Sequence, residues 1–245
     1  MSRETSASKH AIIIGGSSGM GRALSEELAR DGWRVIATGR REEYVNELQQ
    51  KWPGLITAQP MDIRNQQEVI QQLEKLTDQL PALDLMVIAA GTVQDNSDLE
   101  WAPEADTIST NISGFTALAD WSYNFFRQQG YGHLAGITSI AALRGRRMAP
   151  AYNASKAYQV NYLEGLRQKA QFDKLPITIT DIRPGFVATS MADEGSSMLT
   201  ADVEKATNQI YKAIRAKKRI AYITKRWSLI SQALRFMPSF LYERL

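Results

Sequence analysis

A tyrosine and a lysine four positions apart give the sequence its clearest chemical signal. In "YNASK", Tyr152 and Lys156 share one face if the segment is helical. A nearby ammonium favours a phenolate, so Lys156 would lower the pKa of Tyr152 from its usual value of ~10 and suit it to acid–base catalysis. Ser139, thirteen residues before the tyrosine, can hydrogen-bond an alcohol or carbonyl oxygen. Together they predict a centre for hydride and proton transfer, although such a pair also occurs on exposed helices without a catalytic role.

A glycine-rich loop follows the first apolar run, in "IIIGGSSGMGRAL" at 12–24. Gly15 would take a positive φ in the turn, Gly19 would let the backbone approach a phosphate, and Gly21 would let the next helix pack closely. The amides at the start of that helix would face the anion. The spacing Gly-x-x-x-Gly-x-Gly differs from the commonest dinucleotide fingerprint, and an ordinary strand-to-helix turn is the alternative.

The end of the second predicted strand, "ATGRRE", bears on which cofactor the loop would hold. Gly39 stands where an acidic residue usually binds the ribose hydroxyls of NAD, and Arg40 and Arg41 follow it. The pattern favours NADP, with Arg40 expected to pair with the 2′-phosphate, unless both arginines are solvated. Asp62, at the end of the third strand, is expected to hydrogen-bond the adenine amino group, and Ile63 to cover the ring.

Short β-branched runs alternate with longer segments of helical periodicity and must position these motifs. That alternation predicts a parallel sheet with helices on both faces: a doubly wound, mainly parallel, seven-stranded Rossmann-type α/β fold. The predicted strands are 11–15, 34–39, 56–62, 83–90, 132–139, 177–183 and 219–224, and the predicted helices are 20–30, 42–50, 66–79, 103–129, 154–172 and 201–216. Ligands are expected at the carboxyl ends of the strands, where the glycine loop and Ser139 lie.

The motifs together resemble those of the short-chain dehydrogenases/reductases, over about residues 10 to 225. "GGSSGMG" is similar to the family's cofactor loop, "YNASK" to its Tyr-x-x-x-Lys motif, and "RPGFVAT" to the Pro-Gly segment beside the nicotinamide. The resemblance implies a catalytic set of Asn111, Ser139, Tyr152 and Lys156, in which Asn111 anchors a water that relays protons from the lysine. The NADP site is expected to comprise Gly15, Ser17, Ser18, Gly19, Met20, Gly21, Arg40, Asp62, Ile63, Ala89, Ala90, Gly91, Tyr152, Lys156, Pro184, Gly185, Val187 and Thr189.

Two positions depart from the family's usual pattern. Ile14 stands before the first loop glycine, where the family often has threonine, and "IAAG" at 88–91 stands where it often has "NNAG". The missing asparagine predicts weaker hydrogen bonding between neighbouring strands. Ala89, Ala90 and Gly91 still leave room for the adenosine ribose.

The resemblance implies an NADP(H)-dependent oxidoreductase that interconverts an alcohol and a ketone or aldehyde. In the reductive direction, Tyr152 gives a proton to the carbonyl oxygen, Ser139 orients that oxygen, and Lys156 lowers the tyrosine pKa. Two alternatives stay open. One is an epimerase or dehydratase that retains its cofactor, for which little chain is left after the sixth strand to bind a larger substrate. The other is a non-catalytic NADP-binding regulatory protein.

The bulk composition narrows the classes further. The 245 residues are treated as one NADP-binding domain, 1–245. The lack of cysteine and the presence of only two histidines exclude thiol chemistry and predict no metal site. Because 29 basic and 26 acidic residues are spread along the chain, nucleic-acid binding is not expected. No signal peptide and no apolar run of about 20 residues is recognised, so a cytoplasmic protein is expected. The resemblance implies that the protein forms a homodimer or homotetramer.

The C-terminal tail, 226–245, is predicted to be helical and broadly apolar. Trp227, Ile230, Leu234, Met237 and Leu241 recur at helical spacing. A stripe of this breadth must be covered by something. It packs against its own domain or a twin subunit, or it lies at a membrane surface as an interfacial helix interrupted by Pro238.

Overall fold

The sheet is all parallel, and its strands stand in the order β3-β2-β1-β4-β5-β6-β7. The computed structural model describes residues 8–188, 200–224 and 226–244, and the strands are named within those ranges. They are β1 (His10–Ile14), β2 (Arg34–Gly39), β3 (Ile56–Pro60), β4 (Leu85–Ile88), β5 (Gly132–Ile137), β6 (Ile177–Pro184) and β7 (Ile220–Ile223). The doubly wound, seven-stranded fold expected from the sequence is confirmed.

Helices connect successive strands and cover both faces of the sheet. In the described ranges they are α1 (Gly19–Arg30), α2 (Glu42–Lys51), α3 (Gln66–Thr77), α4 (Trp101–Ile108), α5 (Phe115–Gln129), α6 (Pro150–Phe172), α7 (Val203–Arg215), α8 (Arg226–Phe236) and α9 (Ser239–Tyr242). A π-helical turn, Ser109–Gly114, joins α4 to α5, so the single helix predicted over 103–129 is continuous but widened in its middle.

Two hydrophobic cores lie on opposite faces of the sheet, because successive side chains of a strand point to opposite sides. From β1, Ile13 joins the core that contains Leu28 of α1, whereas Ile12 joins the core that contains Phe115 of α5. All four side chains are fully buried or nearly so. The near-continuous apolar strands recognised in the sequence follow from this burial on both faces.

The chain reverses its direction of winding at β1. Its neighbours are β2 on one side and β4 on the other, and β4 pairs in turn with β5. Because all these strands are parallel, the segments after Ile14, Ile88 and Ile137 emerge at one edge of the sheet. A crevice at such a switch point is where doubly wound folds bind ligands.

The C-terminal tail is partly packed and partly exposed. Trp227 of α8 is 3% exposed and lies against Gly185, so one side of the helix is covered by its own domain, as one of the sequence-based alternatives predicts. Leu229, Phe236 and Phe240 are 73%, 80% and 60% exposed. Pro238 separates α8 from α9, as predicted. Nowhere in the described ranges does a helix have the length and apolar character needed to cross a membrane.

Candidate active site

The start of α6 brings the predicted catalytic side chains together. The helix begins at Pro150, four residues earlier than predicted, so Tyr152 lies in its first turn and Lys156 one turn later. Lys156 Nζ lies 5.8 Å from the centroid of the Tyr152 ring. The hydroxyl of Ser139, directly beyond β5, is a hydrogen-bond partner of the Tyr152 phenol and accepts a bond of 3.0 Å from the Ala141 amide. A phenol, a hydroxyl and an ammonium therefore meet at the edge of the sheet.

Burial dominates the electrostatics of this group. It raises the pKa of Tyr152 above its usual value, and the hydrogen bond from Ser139 acts in the opposite direction. The sequence-based expectation of a lowered tyrosine pKa is thus wrong for the protein alone, because loss of solvation outweighs the stabilisation of a phenolate. Burial also lowers the pKa of Lys156, to about 8, against the opposing effect of the Asp181 carboxylate. At neutral pH the pair consists of a protonated phenol and a mostly charged ammonium.

Asn111 lies in the π-helical turn and is fully buried. Its side chain accepts a hydrogen bond from the Thr92 amide (2.8 Å) and donates to the Thr92 carbonyl (2.8 Å) and to Ser155 Oγ (3.1 Å). Its backbone carbonyl accepts a bond of 2.8 Å from Nε2 of Gln159. Asn111 thereby ties the segment after β4 to the helix that carries Lys156.

Two residues of α6 that sequence reasoning missed hold the site in place. Asn153 Nδ2 donates to the carbonyls of Ala141 (3.0 Å) and Arg144 (2.7 Å), which fixes the segment after Ser139 on the helix. Gln159 contacts both Lys156 and Asn111. The only sequence signal for either is a polar side chain on the buried side of the helix.

The glycine loop has the conformation expected of a phosphate cradle. Gly15 has a φ of +88°, and a Cβ on Gly21 would lie 2.2 Å from the Gly15 carbonyl oxygen, so both predicted roles are confirmed. Gly19 is the first residue of α1 and has a φ of +54°. The side chain of the N-cap residue, Ser18, makes no capping hydrogen bond. The first-turn amides are therefore left for another acceptor, and a helix start of this kind suits an anion.

A cavity of about 450 Å³ runs along this edge of the sheet. Its lining includes the predicted cofactor residues Gly15, Ser17, Ser18, Met20, Gly21, Arg40, Asp62, Ile63, Ala89, Ala90 and Gly91. Two further lining residues, Thr38 and Thr110, have buried hydroxyls that no partner in the described ranges satisfies. At the inner end, a Cβ on Gly91 would lie 3.4 Å from Lys156 Nζ. Unsatisfied hydroxyls, helix amides without a side-chain cap and an ammonium near one end fit a dinucleotide.

The end of β2 forms the other end of the cavity. Gly39 has no room for a side chain, because a Cβ there would lie 2.6 Å from Ser17 Oγ. Arg40 is exposed and lines the cavity. Arg41, which sequence reasoning ranked second, also lines it and holds its guanidinium 4.4 Å from the centroid of the Tyr44 ring. Two arginines therefore line the end of the cavity at which the sequence predicts the 2′-phosphate.

Asp62 lines the cavity, but another cation already holds its carboxylate. Arg64 donates to both of its oxygens, with a shortest distance of 2.6 Å, and this contact lowers the pKa of Asp62. Ile63 is 5% exposed and packs against Gly114 in the π-helical turn. The adenine contact expected from the Asp62 side chain thus competes with an ion pair.

The Pro-Gly segment lies at the end of β6, on the same edge of the sheet. Pro184 ends the strand, and the Gly185 amide donates to the Ile223 carbonyl at 2.6 Å. Val187 is buried and forms an isolated β-bridge with Ala201. Thr189 lies outside the described residues.

A larger depression, of about 770 Å³, adjoins the cradle on the outer side of α1. It shares Ser17, Ser18 and Arg41 with the smaller cavity but lacks Gly91 and Ile137, the lining residues of the smaller cavity that adjoin Lys156 Nζ. Four of its charged residues form ion pairs with one another: Arg22, Glu26, Glu27 and Arg30. The Arg30–Glu27 contact, at 2.7 Å, is the shortest of these. The smaller cavity is therefore the candidate cofactor site.

Comparison with known proteins agrees with this geometry. The family model for short chain dehydrogenases matches residues 9–200. An uncharacterized oxidoreductase of Myxococcus xanthus is 32% identical over 186 residues, which cover 74% of this chain and 73% of that protein. An uncharacterized oxidoreductase of Mycobacterium tuberculosis is 28% identical over 244 residues, 95% of each chain.

Solved structures share the fold at low identity. A short chain dehydrogenase from Burkholderia cenocepacia, in complex with NADP, superposes with a TM-score of 0.82 at 21% identity and covers 97% of both chains. One from Sphingobium yanoikuyae, in complex with NADPH, gives a TM-score of 0.79 at 18% identity and covers 92% of this chain and 93% of that one. From the family match and its oxidoreductase relatives, the chain belongs to the short-chain dehydrogenase family of oxidoreductases.

Proposed function

We propose that this protein is an NADP(H)-dependent oxidoreductase that interconverts an alcohol and a ketone or aldehyde, with Tyr152 as the acid–base group. The observation that carries the proposal is the meeting of Ser139, Tyr152 and Lys156. They meet next to the cofactor cavity, whose lining residues Gly91 and Ile137 adjoin Lys156 Nζ. A phenol, a hydroxyl and an ammonium at one point suit a reaction in which negative charge develops on a single oxygen.

NADP is favoured over NAD by the residues at the end of β2. The close packing of Gly39 on Ser17 excludes the acidic side chain that would bind the ribose hydroxyls of NAD. Arg40 and Arg41 supply the positive charge that a 2′-phosphate needs. The related structures solved with NADP or NADPH support the same cofactor.

In the reductive direction the substrate carbonyl oxygen lies against Ser139 and Tyr152. Bound NADPH supplies the hydride to the carbonyl carbon. Ser139 orients the oxygen by a hydrogen bond, and Tyr152 transfers its phenolic proton to it. The Lys156 ammonium, 5.8 Å from the ring, then stabilises the phenolate that remains. Burial favours the protonated phenol before the reaction, which suits Tyr152 to act first as an acid.

Two other functions remain alternatives. A related epimerase or dehydratase would retain its cofactor, so NADPH would not be consumed in proportion to product. A non-catalytic NADP-binding protein would bind NADPH but transfer no hydride in a single turnover. The joint presence of Ser139, Tyr152 and Lys156 favours an enzyme over a binding protein, and NADPH consumption in proportion to product would separate the oxidoreductase from the epimerase or dehydratase.

The test is NADPH oxidation with a panel of ketones, aldehydes, steroids, sugars and acyl thioesters. With a substrate found in this panel, Tyr152→Phe should lower kcat by at least about a hundredfold, because general acid catalysis contributes about 10² or more. NADPH affinity should change little. Tyr158→Phe, on the same helix and hydrogen-bonded to Thr116, is the matched control and should keep the parent kcat. Normal turnover by Tyr152→Phe would overturn the mechanism.

We also propose that the protein is a cytoplasmic homodimer or homotetramer and acts on a small-molecule substrate.

The exposed side of the tail, formed by Leu229, Phe236 and Phe240, is proposed to contact an anionic membrane surface. Arg235 and Arg244 on the tail are exposed, and so are Arg146 and Arg147 on the loop that Tyr242 contacts through the Gly145 carbonyl. Apolar side chains bordered by arginines match a bilayer that carries negative head groups.

A further inference from the structure

Gln159 is a polar side chain enclosed by the protein behind the catalytic lysine. It is 1% exposed and lies three residues after Lys156 on α6. Oε1 accepts a hydrogen bond of 3.0 Å from Lys156 Nζ, and Nε2 donates one of 2.8 Å to the Asn111 carbonyl in the π-helical turn. Lys156 Nζ also donates to the Ile137 carbonyl at 3.3 Å. One carboxamide thus joins the ammonium to the neighbouring helix.

The two contacts fix the orientation of this carboxamide. An ammonium can only donate, and a carbonyl can only accept, so Oε1 must face Lys156 and Nε2 must face Asn111. The reversed orientation would place two donors together at one end and two acceptors together at the other. The side chain is therefore held in a single arrangement, and the position of Nζ is defined by it.

A neutral acceptor at this place differs from a carboxylate in its effect on charge. Gln159 satisfies one ammonium hydrogen without neutralising the cation. The positive charge of Lys156 therefore remains available to Tyr152, 5.8 Å away. Asp181 is the carboxylate that acts on Lys156 through space, and it is itself paired with Arg183 at 2.6 Å.

We propose that Gln159 is a positioning residue that holds the Lys156 ammonium against the active-site tyrosine by bridging it to the Asn111 carbonyl. The proposal rests on the function proposed above. It predicts that the carboxamide controls the ionisation of Lys156 and the turnover number, in addition to any contribution to stability.

The test compares Gln159→Met, Gln159→Glu and the control Gln129→Met. Gln129 is also a bridging glutamine, bonded to the Leu83 amide and carbonyl and to the Tyr131 carbonyl at 2.9 Å each, but it lies at the opposite edge of the sheet. Ionisation of Lys156 is read without cofactor or substrate from the pH dependence of its Nζ and Cε NMR signals, assigned by their absence from the same variant carrying Lys156→Met. Carbonyl reduction and thermal unfolding are measured in parallel.

Gln159→Met should move the ionisation of Lys156 downward by at least about half a pH unit, because the ammonium loses a hydrogen-bond acceptor, and should lower kcat about tenfold, with KM changed less than twofold. Gln159→Glu, of nearly the same shape, pairs the ammonium with a carboxylate and should move the ionisation upward. Gln129→Met should lower the Tm and leave both the ionisation and kcat at the parent values.

A lowered Tm with parent ionisation and parent kcat in both Gln159 variants would overturn the proposal. If Gln159→Met does not fold, Gln159→Glu decides by its titration alone. The titration also separates the two proposals. If the parent reduces no carbonyl in the panel but the ionisation responds to Gln159, the assignment of Gln159 stands and the proposed function fails.

Discussion

Gly39 is the residue at which the absence of a side chain bears most directly on cofactor choice. A Cβ would lie 2.6 Å from the Ser17 side chain, so an acidic residue cannot stand here without displacing the glycine loop. The motif comparison predicts the glycine but cannot show this contact, because Ser17 and Gly39 approach each other only when β1 and β2 pair. Discrimination between the two nicotinamide cofactors is therefore expected to depend on the arginines beyond Gly39.

Arg40→Ala should weaken NADPH binding by about tenfold or more and NADH binding by less than twofold, since only NADPH carries the phosphate that the guanidinium would pair with. Arg41→Ala should act in the same direction. Fluorescence titration with each cofactor measures both effects. Arg127→Ala, an exposed arginine of α5, is the control. An equal loss of affinity for NADPH and NADH would contradict the assignment of Arg40 to the 2′-phosphate.

At the scale of the elements, the seven strands and the helices between them were predictable because β-branched runs and helical periodicity alternate so regularly. The residues at which these elements begin and end were less predictable. β4 was predicted over 83–90 but pairs only over Leu85–Ile88, since apolar residues continue past the ladder. The π-helical turn around Asn111 was not predicted, because a single turn with i→i+5 hydrogen bonds leaves almost the same apolar pattern as an α-helical turn with i→i+4 bonds. Asn153 and Gln159 were missed because each donates to a backbone carbonyl of another element, a contact that has no sequence signature.

Asn153 joins α6 to the segment after Ser139, and its removal should loosen that segment. Asn153→Ala breaks both bonds to the segment after Ser139 and should cost about 1–3 kcal/mol of stability. It should also lower kcat about tenfold, because Ser139 is then less well held against Tyr152. NADPH affinity should stay within twofold of the parent. Steady-state kinetics and thermal unfolding measure these effects, and Asn124→Ala, exposed on α5, is the control. An unchanged kcat would mean that the segment is held by other contacts.

At the scale of the whole molecule, the exposed side of the tail should determine whether the protein binds a membrane surface. The double variant Leu229→Gln/Phe236→Gln removes two exposed side chains without touching the buried side of α8. It should reduce co-sedimentation with phosphatidylglycerol vesicles by about tenfold or more. The parent should bind neutral phosphatidylcholine vesicles weakly, and added salt should weaken its binding to the anionic ones.

Phe172→Gln is the control for this experiment, because Phe172 is 86% exposed at the end of α6, away from the tail. It should bind vesicles like the parent. Light scattering identifies the competing result. If the parent does not bind vesicles, and the double variant alone has a lower oligomer mass than the parent, the exposed side of the tail is a contact between subunits.

The contact between Trp227 and Gly185 joins two segments that are distant in the sequence. A Cβ on Gly185 would lie 2.0 Å from the Trp227 indole nitrogen, so neither position can change freely while the other stays. A tail grafted from a relative without the indole would leave a void beside the Pro-Gly segment, and this tail grafted onto a chain with a larger residue there would collide with it. A chimera should therefore exchange the tail and the Pro-Gly segment together.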